Sequence, residues 1–405
     1  MNKCLVCAAP IDQFISFGKM PIANGFLKPE EFAKEYFFEL RVGFCSQCAM
    51  VQLLEQPERE KMFHANYAFF SSTSKFMAEH FKEFAGFVKE KYLKSPDPLV
   101  VEIGSNDGIM LRNFANAGIR HLGIEPSENV AQVAMRNGIR TVCSFFDAEL
   151  AKKIVFEHGQ ADAFLGANVM CHIPYLHSVA AGIKILLKPK GVLVFEDPYL
   201  GDIVQKTSYD QIYDEHAFYF SVASVSNLFA QHGMQVIDVL PQDVHGGSMR
   251  YVVAHQGAYS VTEAVEKQRK LEESLGLQRK ETFDQLRRNI ENSREKLVKL
   301  LKEVKRNGKR VVGYAATSKS TTVTNYCGIT EELVEFISDT TPIKQGKYSP
   351  GTHIPVRPYD EFKKNYPDYA LLFGWNHAKE IMSKEQDFVA PGGKWIVYVP
   401  EVKVL

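Results

Sequence analysis

The chain has 405 residues, enough for two or three domains that each bury a core. Lys plus Arg and Asp plus Glu both number 48, so the net charge is zero. That argues against nucleic acid as the main substrate, because phosphate binding usually leaves a basic footprint. No run of about 18 apolar residues occurs, so no membrane span is expected. The start lacks the apolar stretch of a signal peptide, and a cytoplasmic location is expected.

Four of the seven cysteines fall early, as Cys4-x-x-Cys7 and Cys45-x-x-Cys48. Two such knuckles supply the four thiolates of a tetrahedral zinc site; the competing readings are a redox pair or chance. All-cysteine ligation leaves no open position for chemistry, so Cys4, Cys7, Cys45 and Cys48 are expected to hold a small module over residues 1–70. Residues 11–42, between the pairs, are expected to loop out. Cys143, Cys171 and Cys327 read as buried free thiols.

Tyr67 precedes a helix predicted over 75–91, in which Phe76, Phe81, Phe84, Phe87 and Val88 recur at helical spacing and read as core. Tyr67 has two readings, a buried tyrosine or a phenol facing a site. Pro96 and Pro98 stop the helix.

Leu99-Val-Val-Glu-Ile-Gly-Ser-Asn-Asp-Gly108 then gives a buried parallel strand, a glycine-bracketed turn and a helix start. The spacing is neither the three-glycine dinucleotide fingerprint nor a P-loop. Leu122-Gly-Ile-Glu125-Pro126 is a second strand ending in an acid, which suits the two hydroxyls of a ribose. The pair resembles the Rossmann-like S-adenosylmethionine-dependent methyltransferases; the alternatives are another nucleotide or no ligand. The resemblance implies cofactor contacts from Glu102, Gly104, Asn106, Asp107 and Gly108 in the first loop, from Glu125 and Pro126, and from Asn168.

Strands and helices alternate from there. Asp162–Asn168 reads as a strand, 178–187 as a helix, Lys188–Gly191 as a turn and Gly191–Glu196 as the next strand, in a sheet of about seven. His172 falls in a loop at the carboxyl end of the sheet, where ligands bind; a histidine satisfied by backbone is the competing reading. Tyr213-Asp-Glu215-His216 follows the fifth strand and puts a base beside acids and a phenol. Histidine titrates nearest neutrality, so it can take a proton at working pH; lining a core edge is the bland alternative. The charged stretch 261–307 carries Phe283, Leu286, Ile290, Leu297, Leu300, Leu301 and Val304 on one stripe, which predicts a packed linker helix rather than a coiled-coil surface.

A second α/β unit opens with the strand Arg310–Tyr314, a loop of small and hydroxyl residues, and a helix carrying Asn325. Backbone N–H groups at that helix start, with Ser318 and Lys319, suit phosphate oxygens. Glu335–Asp339 is the next strand, and Lys344–His353 is a polar, turn-rich stretch expected to face the cleft.

Taken together, the cysteine pairs, the Glu-Ile-Gly-Ser-Asn-Asp-Gly loop, Asn168-x-x-x-His172-Ile-Pro and Tyr213-x-Glu-His are similar to the sugar C-methyltransferases of deoxysugar biosynthesis. The chain departs from that family's usual glycine after the loop lysine, where Ser320 stands. The resemblance implies an α/β fold in three parts: the zinc module, a Rossmann-like methyltransferase domain over 71–256 and, after linker helices over 257–307, a Rossmann-like nucleotide-sugar domain over 308–405. It implies His216 as the base, with Tyr67, His172, Tyr213 and Glu215 lining the acceptor site. Lys319, Ser318, Asn325, Asp339, Lys344 and His353 are assigned to the nucleotide sugar. The expected partner is a nucleotide-diphosphate 4-keto-6-deoxy sugar, bound by a monomer or homodimer. An O- or N-methyltransferase and a non-catalytic nucleotide-sugar-binding protein are the rivals.

Overall fold

The computed structural model describes residues 2–58, 62 and 75–405. Tyr67 lies outside the described residues. The chain opens with a small antiparallel sheet of β1 (Asp12–Pro21), β2 (Phe37–Phe44) and β3 (Val51–Leu53). The stretch 11–42, expected to loop out between the cysteine pairs, is mostly the two long strands of this sheet, paired from Asp12↔Phe44 to Pro21↔Phe37. Phe38, Leu40 and Val42 are buried at period two, the pattern of a strand with one face on the core.

The central sheet takes its strands from the next 160 or so residues in the alternation expected of an α/β unit. After α1 (Lys75–Tyr92) come β4 (Leu99–Ile103), β5 (Arg120–Ile124), α2 (Glu128–Arg136), β6 (Thr141–Val142), α3 (Ala148–His158), β7 (Ala161–Ala167), α4 (Leu176–Leu186) and β8 (Leu187–Pro198). A two-residue strand, β9 (Phe218–Tyr219), leaves this sheet and pairs with β3 of the first one. Then come α5 (Val222–Ala230), β10 (Met234–Gln242) and β11 (Ser248–His255).

The seven strands lie in the order β10-β11-β8-β7-β4-β5-β6, and only β11 runs against the rest. Strand β4 is buried on both faces, as a parallel sheet between helix layers requires. Strand order reverses between β4 and β7, the place where open α/β sheets bind ligands beyond their carboxyl ends.

Three sequence expectations are corrected. Residues 188–191 form no separate turn; they lie within β8, where the pairing with β7 slips opposite Asp162, and Lys188 Nζ donates to that carboxylate at 2.7 Å. Phe76 is exposed, on the outer face of α1, while Phe81, Phe84 and Val88 are buried. Cys143 is exposed, because β6 is the sheet's edge strand and ends just before it.

Helices α6 (Glu263–Leu275) and α7 (Lys280–Arg306) meet at Gly276, which closes α6 at φ +67°, a conformation natural to glycine. The α7 stripe is buried as expected except for the half-buried Leu300, and Phe283 stacks on Phe44 at 4.3 Å. The same core includes Val323, Ile329 and Ile337, so α7 joins the first sheet to the last domain. That domain holds β12 (Val311–Tyr314), α8 (Ser318–Cys327), β13 (Ile337–Asp339), β14 (Val356–Pro358), β15 (Tyr369–Leu372), β16 (Lys394–Val397) and β17 (Lys403–Val404). Its sheet order is β14-β13-β12-β15-β16-β17, parallel except for β17.

Candidate active site

A cavity of about 420 Å³ lies where the carboxyl ends of both large sheets face one another. The residues just past β4, β5 and β7 line it on one side: Gly104 and Asn106, Glu125 and Pro126, and Asn168. Gly104 stands at φ +61°, and a Cβ there would lie 2.6 Å from Val169 Cγ2, so only glycine lets the β7 loop come this close. Glu125 accepts from Asn106 N at 3.0 Å and from Ser127 N at 2.8 Å, which fixes the carboxylate at the wall. Burial raises its pKa, and those two donors pull it back. An aimed carboxylate beside a glycine cradle fits the ribose and amino-acid parts of S-adenosylmethionine. Glu102, Asp107 and Gly108 do not line the cavity: the two acids are buried under the loop, and Gly108 packs where a Cβ would meet Ile139 at 2.7 Å.

His216, His172, Tyr213 and Glu215 share this cavity. His216 Nδ1 donates to the Gln211 carbonyl at 2.7 Å. A carbonyl can only accept, so the proton sits on Nδ1 and the Nε2 lone pair is left for the cavity. The His216 ring is 4.1 Å from Tyr213 and stacks on His172 at 5.2 Å. Burial and the neighbouring His172 hold His216 well below the usual 6.5, and burial pushes His172 down to about 4, so both imidazoles are neutral at working pH. Glu215 accepts from Asn24 Nδ2 at 2.7 Å. Asn24 lines the cavity from the connection between β1 and β2, a contribution no sequence spacing signalled.

The second domain supplies the other wall through Ala315, Thr317, Ser318, Lys319, Lys344, Asn376 and His377. Lys319 Nζ donates to the His245 carbonyl and to Asn376 Oδ1, both at 3.4 Å, and Lys344 Nζ to the Ala316 carbonyl at 2.7 Å. Burial lowers both ammonium pKa values. The remaining three substrate candidates are elsewhere. Asp339 accepts from Ala316 N and Thr341 N and so shapes the loop, while Asn325 donates to the Thr321 and Pro350 carbonyls. His353 pairs with Glu35 at 2.8 Å and stacks on Phe32. All three side chains are engaged within the protein: Asp339 and Asn325 hold loops of the second domain, and His353 ties that domain to the connection between β1 and β2.

A buried triad beside the site was also missed. Glu196, near the carboxyl end of β8, accepts from His80 Nε2 of α1 at 2.6 Å and from Arg250 Nε at 3.0 Å. It ties α1, which lends Met77 and Phe81 to the cavity, to the sheet. Outside the cavity the four knuckle sulfurs lie within 4.8 Å of one another, with Cys4–Cys48 at 3.5 Å and Cys7–Cys45 at 3.4 Å. Tetrahedral zinc at about 2.3 Å from each sulfur needs roughly 3.8 Å between them, so the cluster fits that ion.

Comparison with known proteins accords with this geometry. Residues 4–63 match a family described as "Putative zinc binding domain", residues 70–239 "Methyltransferase domain", and residues 243–400 "C-methyltransferase C-terminal domain". The chain is 35% identical to C-methyltransferase NovU of Streptomyces niveus over 409 residues, covering 100% of this chain and 97% of that protein. It belongs to the C-methyltransferase family. Among solved structures, magnesium protoporphyrin IX methyltransferase from Synechocystis with bound SAH is 14% identical, covers 44% of this chain and 83% of its own, and superposes with a TM-score of 0.35. The CcbJ methyltransferase from Streptomyces caelestis gives 14%, 44%, 90% and 0.34.

This C-methyltransferase is thus an S-adenosylmethionine-dependent enzyme whose zinc-binding domain carries the four-cysteine cluster. The cluster is welded to the catalytic body. His177 Nε2 donates to the Val6 carbonyl at 2.7 Å, Asn227 Nδ2 to the Cys48 carbonyl at 3.0 Å, and Leu53 N to the Ala217 carbonyl at 2.9 Å.

Proposed function

We propose that this C-methyltransferase methylates C-3′ of a nucleotide-linked 4-keto-6-deoxyhexose, as in branched deoxysugar biosynthesis. The observation that carries the reading is the His216 Nδ1 hydrogen bond to Gln211, which presents Nε2 as a neutral base in a cavity shared with the cofactor loops. Carbon needs such a base. His216 Nε2 takes the C-3′ proton, the C–H electron pair becomes the C-3′=C-4′ bond, and the C-4′ oxygen gains the negative charge. Tyr213 and His172 are assigned as donors to that oxygen, with Tyr67 a further candidate by resemblance. Glu215 offsets the charge gained by the imidazole. Bound S-adenosylmethionine supplies the electrophilic methyl group to C-3′, from a site assigned to Gly104, Asn106, Glu125, Pro126 and Asn168. Lys319, Lys344 and Ser318 are assigned to the diphosphate, since two buried ammonium groups on one wall favour an anion there.

Methyl transfer from labelled cofactor to a panel of dTDP- and GDP-linked 4-keto-6-deoxyhexoses tests the acceptor. His216→Asn should keep the fold and the affinity for S-adenosylmethionine while turnover drops on the order of 10²–10⁴. Exchange of the C-3′ hydrogen with deuterated solvent, corrected for the enzyme-free rate, should fall with it. Near wild-type exchange in the Asn variant would move the base to another residue, and transfer to hydroxyl or amine acceptors alone would replace carbon chemistry with O- or N-methylation.

A further inference from the structure

The connection between β10 and β11 brings to the cavity a histidine that the scheme above leaves idle. His245, Gly246 and Gly247 follow one another at φ +54°, +91° and +125°. A histidine in that region is strained, and such strain persists only where its surroundings hold it. Here they do. A Cβ on Gly246 would lie 2.3 Å from Trp375 of the second domain, and one on Gly247 2.3 Å from Asp202 of the first. The His245 carbonyl accepts from Gln211 Nε2 and from Lys319 Nζ. Gln211 is also the residue whose carbonyl orients His216. One strained residue therefore joins the base to the lysine across the domain boundary.

Its side chain has no such engagement. His245 is one of the residues that line the cavity, and its Nε2 is buried with no hydrogen-bond partner among the described residues. An orphaned polar atom inside a fold costs stability unless something else meets it. Burial, with Lys319 nearby, pushes His245 down to about 3, so the ring is neutral and can serve an uncharged oxygen.

We propose that His245 is an acceptor-binding residue whose Nε2 hydrogen-bonds a hydroxyl or carbonyl oxygen of the sugar. The assignment rests on the acceptor reading above. Asparagine and glycine both tolerate positive φ, and neither reaches as far as an imidazole. His245→Asn and His245→Gly should therefore keep the loop while raising KM for the best panel sugar about tenfold. Calorimetric titration of that sugar into the enzyme saturated with S-adenosylhomocysteine should show the same loss, with cofactor affinity and Tm unchanged. If both variants bind the sugar as wild type does, only the backbone of His245 matters and the assignment is overturned. A fall in cofactor affinity or Tm that accounts for the loss also overturns it, in favour of a structural role. If wild type methylates no panel sugar, the acceptor reading fails and takes this assignment with it; wild-type transfer with unaffected variants removes the assignment alone.

Discussion

Burial more than pairing sets the chemistry of single side chains in this enzyme. His216 and His172 both titrate below the ordinary 6.5, so neither charges on mild acidification. With His216 as base, kcat/KM for the acceptor should stay level from about pH 8 to about pH 6, where an ordinary histidine would already have lost about three-quarters of its activity. A fall centred near 6.5 would assign the base elsewhere. Asp197 is the mirror case. Burial pushes its carboxyl from 3.8 up to about 8, although Oδ2 accepts from Cys171 N at 3.3 Å. Between those values the unfolded chain gives up the proton and the folded chain keeps it, so stability falls as pH rises. Asp197→Asn removes that titration, and its Tm advantage over wild type should be larger near pH 8 than near pH 5. An equal or reversed difference in calorimetric scans would mean that Asp197 is ionised in the fold.

Among elements, the glycine loop after β4 makes the firmest demand. Gly104→Ala imposes a left-handed alanine, costing about 1–2 kcal/mol, and sets a methyl against Val169. The loop must shift, and S-adenosylmethionine affinity should weaken roughly tenfold by calorimetry while the far-ultraviolet circular dichroism holds. Unchanged affinity would take the cofactor off this loop. The same loop shows why much of the fold could be read from residue order. β4 and β7 are apolar runs with one acid each, Glu102 and Asp162, β5 turns apolar after Arg120 and His121, α7 carries one apolar stripe, and the ligand corner follows from where such strands stop. What stayed hidden depends on partners far apart in the chain. Nothing near Glu196 points to His80 or Arg250, and nothing near Asn24 points to Glu215. Asn325 and His353 follow the same rule, for Asn325 donates to the Pro350 carbonyl and His353 meets Glu35, 318 residues away.

At the scale of the whole molecule, three sheets share two large cores, and the metal domain is not an appendage. Cys4→Ser combined with Cys45→Ser should remove about one zinc per chain, and because β3 pairs with β9 just after His216, turnover should fall as well. Metal analysis beside a turnover assay checks this; full activity without zinc would uncouple the two. The borrowed strand also sets a timetable. During synthesis the first sheet lacks its fourth strand until Phe218 and Tyr219 have been made, so β1 to β3, complete at Leu53, must wait for a strand that the methyltransferase domain supplies. Nascent chains stalled short of β9 should therefore be cut within the first sheet by proteases that the full-length enzyme resists there.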